Sequence, residues 1–197
     1  MNQTMLRIRN VATLELVPDR VTRQVLAVAA FAVATALAAY IRVPMPFTPV
    51  PVTLQTAVVI LAGALMGPRL GAASQLAYLG MGIAGLPVFA AGLGLPALLG
   101  PTGGYLLAFP AAAFVAGMLC RPGAGRGTTE AVRLVAGLAA ASLLILVSGA
   151  AWLAVYTGDL AAAMALGIVP FLVGDGIKVS LAALIAWRGR RRTLGLL

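Results

Sequence analysis

Histidine is absent from this sequence. With it go Ser-His and Cys-His nucleophilic machinery, the usual zinc sites and haem ligation by imidazole. Cys120 is the only cysteine, so neither an intrachain disulfide nor a thiolate metal cluster can form. Five acids (Glu15, Asp19, Glu130, Asp159 and Asp175) are scattered, and no two are close enough in sequence to suggest a carboxylate pair. GPTGG at 100–104 lacks lysine, and no glycine-rich loop is followed by Lys-Ser or Lys-Thr, so there is no phosphate-cradling motif. The expectation is a chain that is not an enzyme, with no metal and no cofactor. Any ATP-driven work falls to another polypeptide.

Charge is also scarce. Charged residues make up 10% of the chain and hydrophobic ones 61%, with a mean hydropathy of +1.03. A soluble domain has about 25% charged residues, so the composition points to an all-α, polytopic integral membrane protein. A span needs about 20 apolar residues. Six fit, at residues 21–41, 52–66, 70–86, 105–120, 130–155 and 162–187. The first is read as a span and not as a signal peptide, because its apolar stretch exceeds a signal core. The domain reading is a cytoplasmic tail at 1–20, a six-helix transmembrane substrate-binding domain at 21–187 and a basic cytoplasmic tail at 188–197.

Two connections stand out. Residues 42–51, RVPMPFTPVP, hold four prolines in eight positions, which excludes a helix and predicts a stiff, extended loop. Residues 87–104, PVFAAGLGLPALLGPTGG, are uncharged and still apolar, which predicts a loop folded back onto the bundle. Gly63, Gly67 and Gly71 are read as packing and turn glycines.

The net charge of +9 is distributed by topology. With six spans and both termini cytoplasmic, 12 of the 14 basic residues lie inside, Arg42 alone lies outside, and Lys178 lies within the membrane. The arginines at 188–192 are read as topological anchors. No basic patch with interleaved aromatics exists, so nucleic acid is not an expected partner; the lipid bilayer is.

Against this scarcity, residues 169–187, VPFLVGDGIKVSLAALIAW, place Asp175 and Lys178 three positions apart on one helical face. A charge at bilayer depth costs roughly 2.5–3.5 kcal/mol on insertion scales and faces a bundle interior or a polar cavity. Counted back from Arg188, the pair lies roughly 15–20 Å from the inner boundary, beneath the two outer loops. Either the two side chains knit helices together or they contact a substrate or ion. Gln55 either cross-links helices or points into the same pocket. A small-residue stripe on the first span, containing Ala30 and Ala34, serves either bundle packing or a partner helix.

FTPVPVTLQT (47–56), LAGALMGPRLGA (61–72), GLPVFAAGLG (85–94), LLGPTGGYLLAF (98–109) and GDGIKVSLAA (174–183) occur in this order. Together they resemble the BioY family, the biotin-specific S components of energy-coupling factor transporters, over residues 21–187. TPVPVTLQT combined with GPTGGY is specific; Asp-x-x-Lys alone is weak. The resemblance implies a six-helix membrane protein of a prokaryotic cell membrane that binds biotin from outside. It also implies a transmembrane T component and ATP-binding cassette subunits as partners, with docking through small residues of the first helix, here Ala30 and Ala34.

The ligand so implied suits the residues. Asp175 can accept from the two ureido N–H groups, while Lys178 can donate to the ureido carbonyl or meet the carboxylate. Phe89 and Tyr105 are candidates to flank the ring system. In one departure from the family pattern, Leu93 and Pro96 occupy the outer loop where a polar side chain is common, so a polar contact from 91–96 would come from the backbone. The rival readings are an S component for another vitamin and an autonomous proton-coupled carrier with Asp175 as relay.

Overall fold

The computed structural model describes residues 19–123 and 127–197. Most of the tail read at 1–20, with Arg7, Arg9 and Glu15, lies outside the described residues, as does Arg126.

Helix α1 (Arg20–Tyr40) starts where the Asp19 carboxylate accepts the Thr22 N–H at 3.0 Å. It stops just ahead of the proline segment. There Arg42–Val43 (β1) and Val52–Thr53 (β2) form a short antiparallel ladder, Arg42 opposite Thr53, with the prolines in the loop between. This pairing removes Val52 and Thr53 from the second helix, which begins at Gln55 instead of 52. Helix α2 (Gln55–Met66) is therefore only 12 residues long, about 18 Å, against a hydrocarbon core of about 30 Å.

A tight turn at Gly67 (φ 82°), with Pro68 in the first turn of the next helix, leads into α3 (Pro68–Ile83). The loop after it carries a short helix, α4 (Gly94–Leu99), where the sequence suggests only irregular backbone. Helices α5 (Gly103–Leu119, with Pro110 inside) and α6 (Thr128–Thr157) follow. The last span is not the single helix expected over 162–187. It is α7 (Leu160–Gly167), a 3-10 turn (Val169–Phe171) and α8 (Leu172–Leu196).

Pro170 explains the break: it has no N–H, and its ring clashes with the carbonyl four residues back, that of Leu166. Both carbonyls freed there find donors elsewhere. Thr48 Oγ1 donates to Leu166 O at 3.1 Å, and Tyr105 Oη donates to Gly167 O at 2.7 Å.

Helix α5 packs at the centre, against α2, α3 and α6, and glycine makes the close approaches possible. A Cβ at Gly63 would lie 2.0 Å from Ala113 O, and one at Gly117 would lie 2.3 Å from Pro68 N. Leucine, valine and isoleucine side chains are exposed around the bundle, among them Leu26, Leu76, Leu143 and Val173, as a lipid-facing surface requires. Among the described residues, three segments, Arg20–Tyr40, Thr128–Thr157 and Leu160–Leu196, are long and apolar enough to cross a membrane by themselves.

At the end remote from the hairpin, α8 runs unbroken past Trp187 and is tied down. Arg190 is buried. It donates to Glu130 Oε1 at 2.6 Å and to Cys120 O at 2.8 Å, while Arg191 reaches Glu130 Oε2 at 2.9 Å. The arginines at 188–192 are thus not uniformly surface anchors.

Gly63→Val is expected to lower the thermal unfolding midpoint in detergent by about 5 °C or more, from overpacking against Ala113. Gly80→Ala, which meets nothing within 4 Å inside a helix, is the control; it should not lower the midpoint and is expected to raise it slightly by helix propensity.

Candidate functional site

Because α2 starts late and the final span breaks early, three helix beginnings converge beside the hairpin. They are the first turn of α2 (Gln55, Thr56), the start of α5 (Tyr105, Leu106, Phe109) and the start of α8 (Asp175, Lys178). Between them lies a cavity of about 510 Å³, its open mouth included. Leu146 of α6 and Phe171 of the 3-10 turn complete the wall. Val50 and Pro51 of the proline loop and Ala90 and Ala91 of the glycine loop also line it. The surface is apolar and aromatic with a few convergent polar groups, the usual composition of a ligand pocket.

Asp175 and Lys178 lie on one face of α8, as their spacing requires, and both are buried. Lys178 Nζ sits 2.9 Å from Asp175 Oδ1 and 3.0 Å from Thr56 Oγ1. Ser142 Oγ of α6 donates to Asp175 Oδ2 at 2.7 Å. One network therefore joins α2, α6 and α8 at the cavity wall. An ammonium has three donors, of which Asp175 and Thr56 take two; each carboxylate oxygen has further lone-pair capacity. The pair knits helices and lines the cavity at once. Asp175 lies in the first turn of α8, where the helix dipole favours a negative charge.

Gln55 also combines both readings. It lines the cavity, and its Nε2 donates to Tyr78 Oη at 2.5 Å. Tyr78 in turn donates to Val88 O at 3.1 Å, linking α2 through α3 to the glycine loop. Tyr105 lines the cavity too, with its ring pressed onto Gly149 and 6.1 Å from that of Phe171. Phe89 is placed differently. Its ring fills the space over Gly82 and stands edge-on to Tyr78 at 5.6 Å, anchoring the loop, while its neighbours Ala90 and Ala91 line the cavity.

The alanine stripe of α1 divides. Ala32 and Ala36 are buried in the core, Ala34 is half-buried and Ala30 is exposed, flanked by exposed Leu26, Val33 and Leu37.

The sequence reading did not single out Ser142, Thr56 or Tyr78. A signal for Ser142 exists: it is a polar residue in the stripe Leu134, Leu138, Ser142, Ile145, Gly149, Leu153, which recurs at helical spacing and is buried along α6. Thr56 ends the TPVPVTLQT stretch, and only the fold brings it to Lys178.

Asp175→Asn and Lys178→Met should each destabilise the ligand-free protein by about 3–5 kcal/mol, because each breaks up a buried pair. The double variant should recover part of that loss, as read from unfolding midpoints. A double variant no more stable than the worse single one would contradict the pairing.

Known proteins are similar to this chain in sequence and architecture. The family model described as "BioY family" matches residues 4–194. A protein of Pyrococcus horikoshii described as "Probable biotin transporter BioY" is 42% identical over 167 residues, 84% of this chain and 95% of the relative. The "Biotin transporter BioY" of Thermotoga maritima is 37% identical over 167 residues, again 84% of this chain and 95% of the relative. A crystal structure described as the S-component for biotin from an ECF-type ABC transporter superposes with a TM-score of 0.75. It is 27% identical, and the match covers 87% of this chain and 92% of that one. On the extent of the family match and the coverage of these relatives, the chain belongs to the BioY family.

Proposed function

We propose that this chain is the biotin-binding membrane subunit, the S component, of an energy-coupling factor importer. It captures biotin from the outer side and is not itself an enzyme. The observation that carries the reading is the buried Asp175–Lys178 pair in the wall of a cavity roofed by two loops. The family membership, the curated relatives described as biotin transporters and the fold shared with a biotin S-component support it.

Asp175 accepts from the ureido N–H groups, and Lys178 donates its remaining N–H to the ureido oxygen. Gln55 and Tyr105 bound the ring system, and Phe89 holds in place the loop that carries Ala90 and Ala91. The spans are α1, α2, α3, α5, α6 and the broken α7–α8, with both termini cytoplasmic, in the cytoplasmic membrane of a prokaryote. Arg20, Arg121, Arg133, Arg190 and Arg191 cluster at the end remote from the hairpin, in keeping with that orientation. A transmembrane T component and ATP-binding cassette subunits drive release inward. The T component docks on the α1 face bearing Ala30 and Ala34, where small residues permit close helix approach.

Purified protein is expected to bind labelled biotin. Asp175→Asn and Lys178→Ala should each weaken binding about 10–100-fold, the range for a lost charged hydrogen bond. Full affinity in both variants would remove the pair from the site. Displacement of label by another vitamin in preference to biotin would reassign the ligand. Ala30→Trp should leave biotin affinity unchanged and reduce uptake in cells carrying all subunits; unchanged uptake would remove this face from docking.

A further inference from the structure

We infer that Arg42 forms a carboxylate subsite at the outer mouth of the cavity, holding the anionic end of the ligand while Asp175 and Lys178 hold its uncharged ring. The inference rests on the biotin reading above and adds to it an orientation and a residue.

Charge comes first. The Asp175–Lys178 pair is neutral as a unit, so the inner wall offers no net positive charge to a ligand with one carboxylate. Burying that carboxylate without a cation is costly. Among the described residues, the ion pairs are Lys178–Asp175, Arg190–Glu130 and Arg191–Glu130, and Arg42 takes part in none of them. The other described arginines lie outside the hairpin and its adjoining loops; Arg42, in β1, is the cation at the roofed end.

Position comes second. Arg42 lines two depressions on the outer face of the roof. One of them, about 570 Å³ with its open side included, is also lined by Pro51, Ala90 and Ala91, which line the main cavity as well. Arg42 pairs in the ladder with Thr53, another cavity residue. The guanidinium's surroundings and the cavity thus meet along one strip, Pro51, Ala90 and Ala91, common to both linings. A ligand with its ring at Asp175 and a flexible acyl chain leading outward would bring its carboxylate to that strip.

Chemistry comes third. A guanidinium presents five donors in a planar fork matched to a carboxylate. One nitrogen of Arg42 donates to Ala90 O, which holds the side chain beside the strip and leaves other N–H groups of the fork for the anion.

The same bond to Ala90 O raises a purely structural alternative, in which Arg42 only pins the glycine loop. Paired ligands separate the two. Affinity for biotin and for biotinamide, whose tail is uncharged, is measured on wild type, Arg42→Gln and Arg42→Lys. Wild type is expected to prefer biotin by about tenfold or more. Arg42→Gln should lose that preference by weakening biotin alone, and Arg42→Lys should retain part of it. High salt should narrow the wild-type preference. Equal weakening of both ligands in Arg42→Gln would reduce Arg42 to loop pinning and overturn the subsite, as would a wild type indifferent to the tail's charge. If Arg42→Gln does not fold, the wild-type preference and Arg42→Lys still decide. Wild type that binds neither ligand overturns the biotin reading itself, a result distinct from any effect of the variants.

Discussion

Backbone polar groups in an apolar surrounding must be satisfied within the protein, and the rest of this structure depends on that constraint. A straight helix meets it without help. At several departures from helix among the described residues, a side chain steps in. Thr48 and Tyr105 serve the carbonyls of Leu166 and Gly167 at the break before α8. Tyr40 and Arg42 serve Pro87 and Ala90, Tyr78 serves Val88, and Trp152 serves Gly100 in the glycine loop. The loops are therefore held to the helices by their own irregularity, and the cavity they roof has a defined shape.

The departures from helix also create the cavity. Proline at 44–51 and at 170 shortens two helices near the same end, and the volume they vacate is bounded by the starts of α2, α5 and α8. Placing Asp175 and Lys178 there lowers the cost of keeping both charged. Each is the other's partner, and Ser142 and Thr56 supply further hydrogen bonds. Removing either partner alone would leave an uncompensated charge in low dielectric, which is why the network behaves as a unit. At the opposite end, Glu130 plays the matching part for Arg190 and Arg191 and ties α6 to α8.

Much of this was legible along the chain. Apolar run lengths marked the helices, proline spacing marked the first loop, and an i, i+3 acid and base marked the polar face of the last span. What escaped was whatever depends on a second element. The second helix starts at Gln55 because Val52 and Thr53 are claimed by a ladder with Arg42 and Val43. The last span breaks because the carbonyls that Pro170 releases have waiting donors on other elements; without those donors, a kinked but continuous helix would be an equal reading of the same residues. Phe89, an aromatic in a loop above the expected site, turned into the helix surface because Gly82 leaves room for its ring. The alanine stripe of α1 read as one face and proved to be two, since the side against α3 is buried and the side bearing Ala30 is not.

Composition and periodicity by themselves determined that this is a helical membrane chain carrying one costly acid–base pair, and motif order pointed to its family. These properties are local: hydropathy, helix period and proline stereochemistry act over a few residues. Only the tertiary structure decided what the pair touches, which aromatics meet the cavity and which seal its roof, and that Arg42 is bound to the loop carrying Ala90. Those outcomes rest on contacts between residues tens of positions apart, such as Ser142 with Asp175 and Arg42 with Ala90. Their geometry is set by helix packing that no single segment encodes.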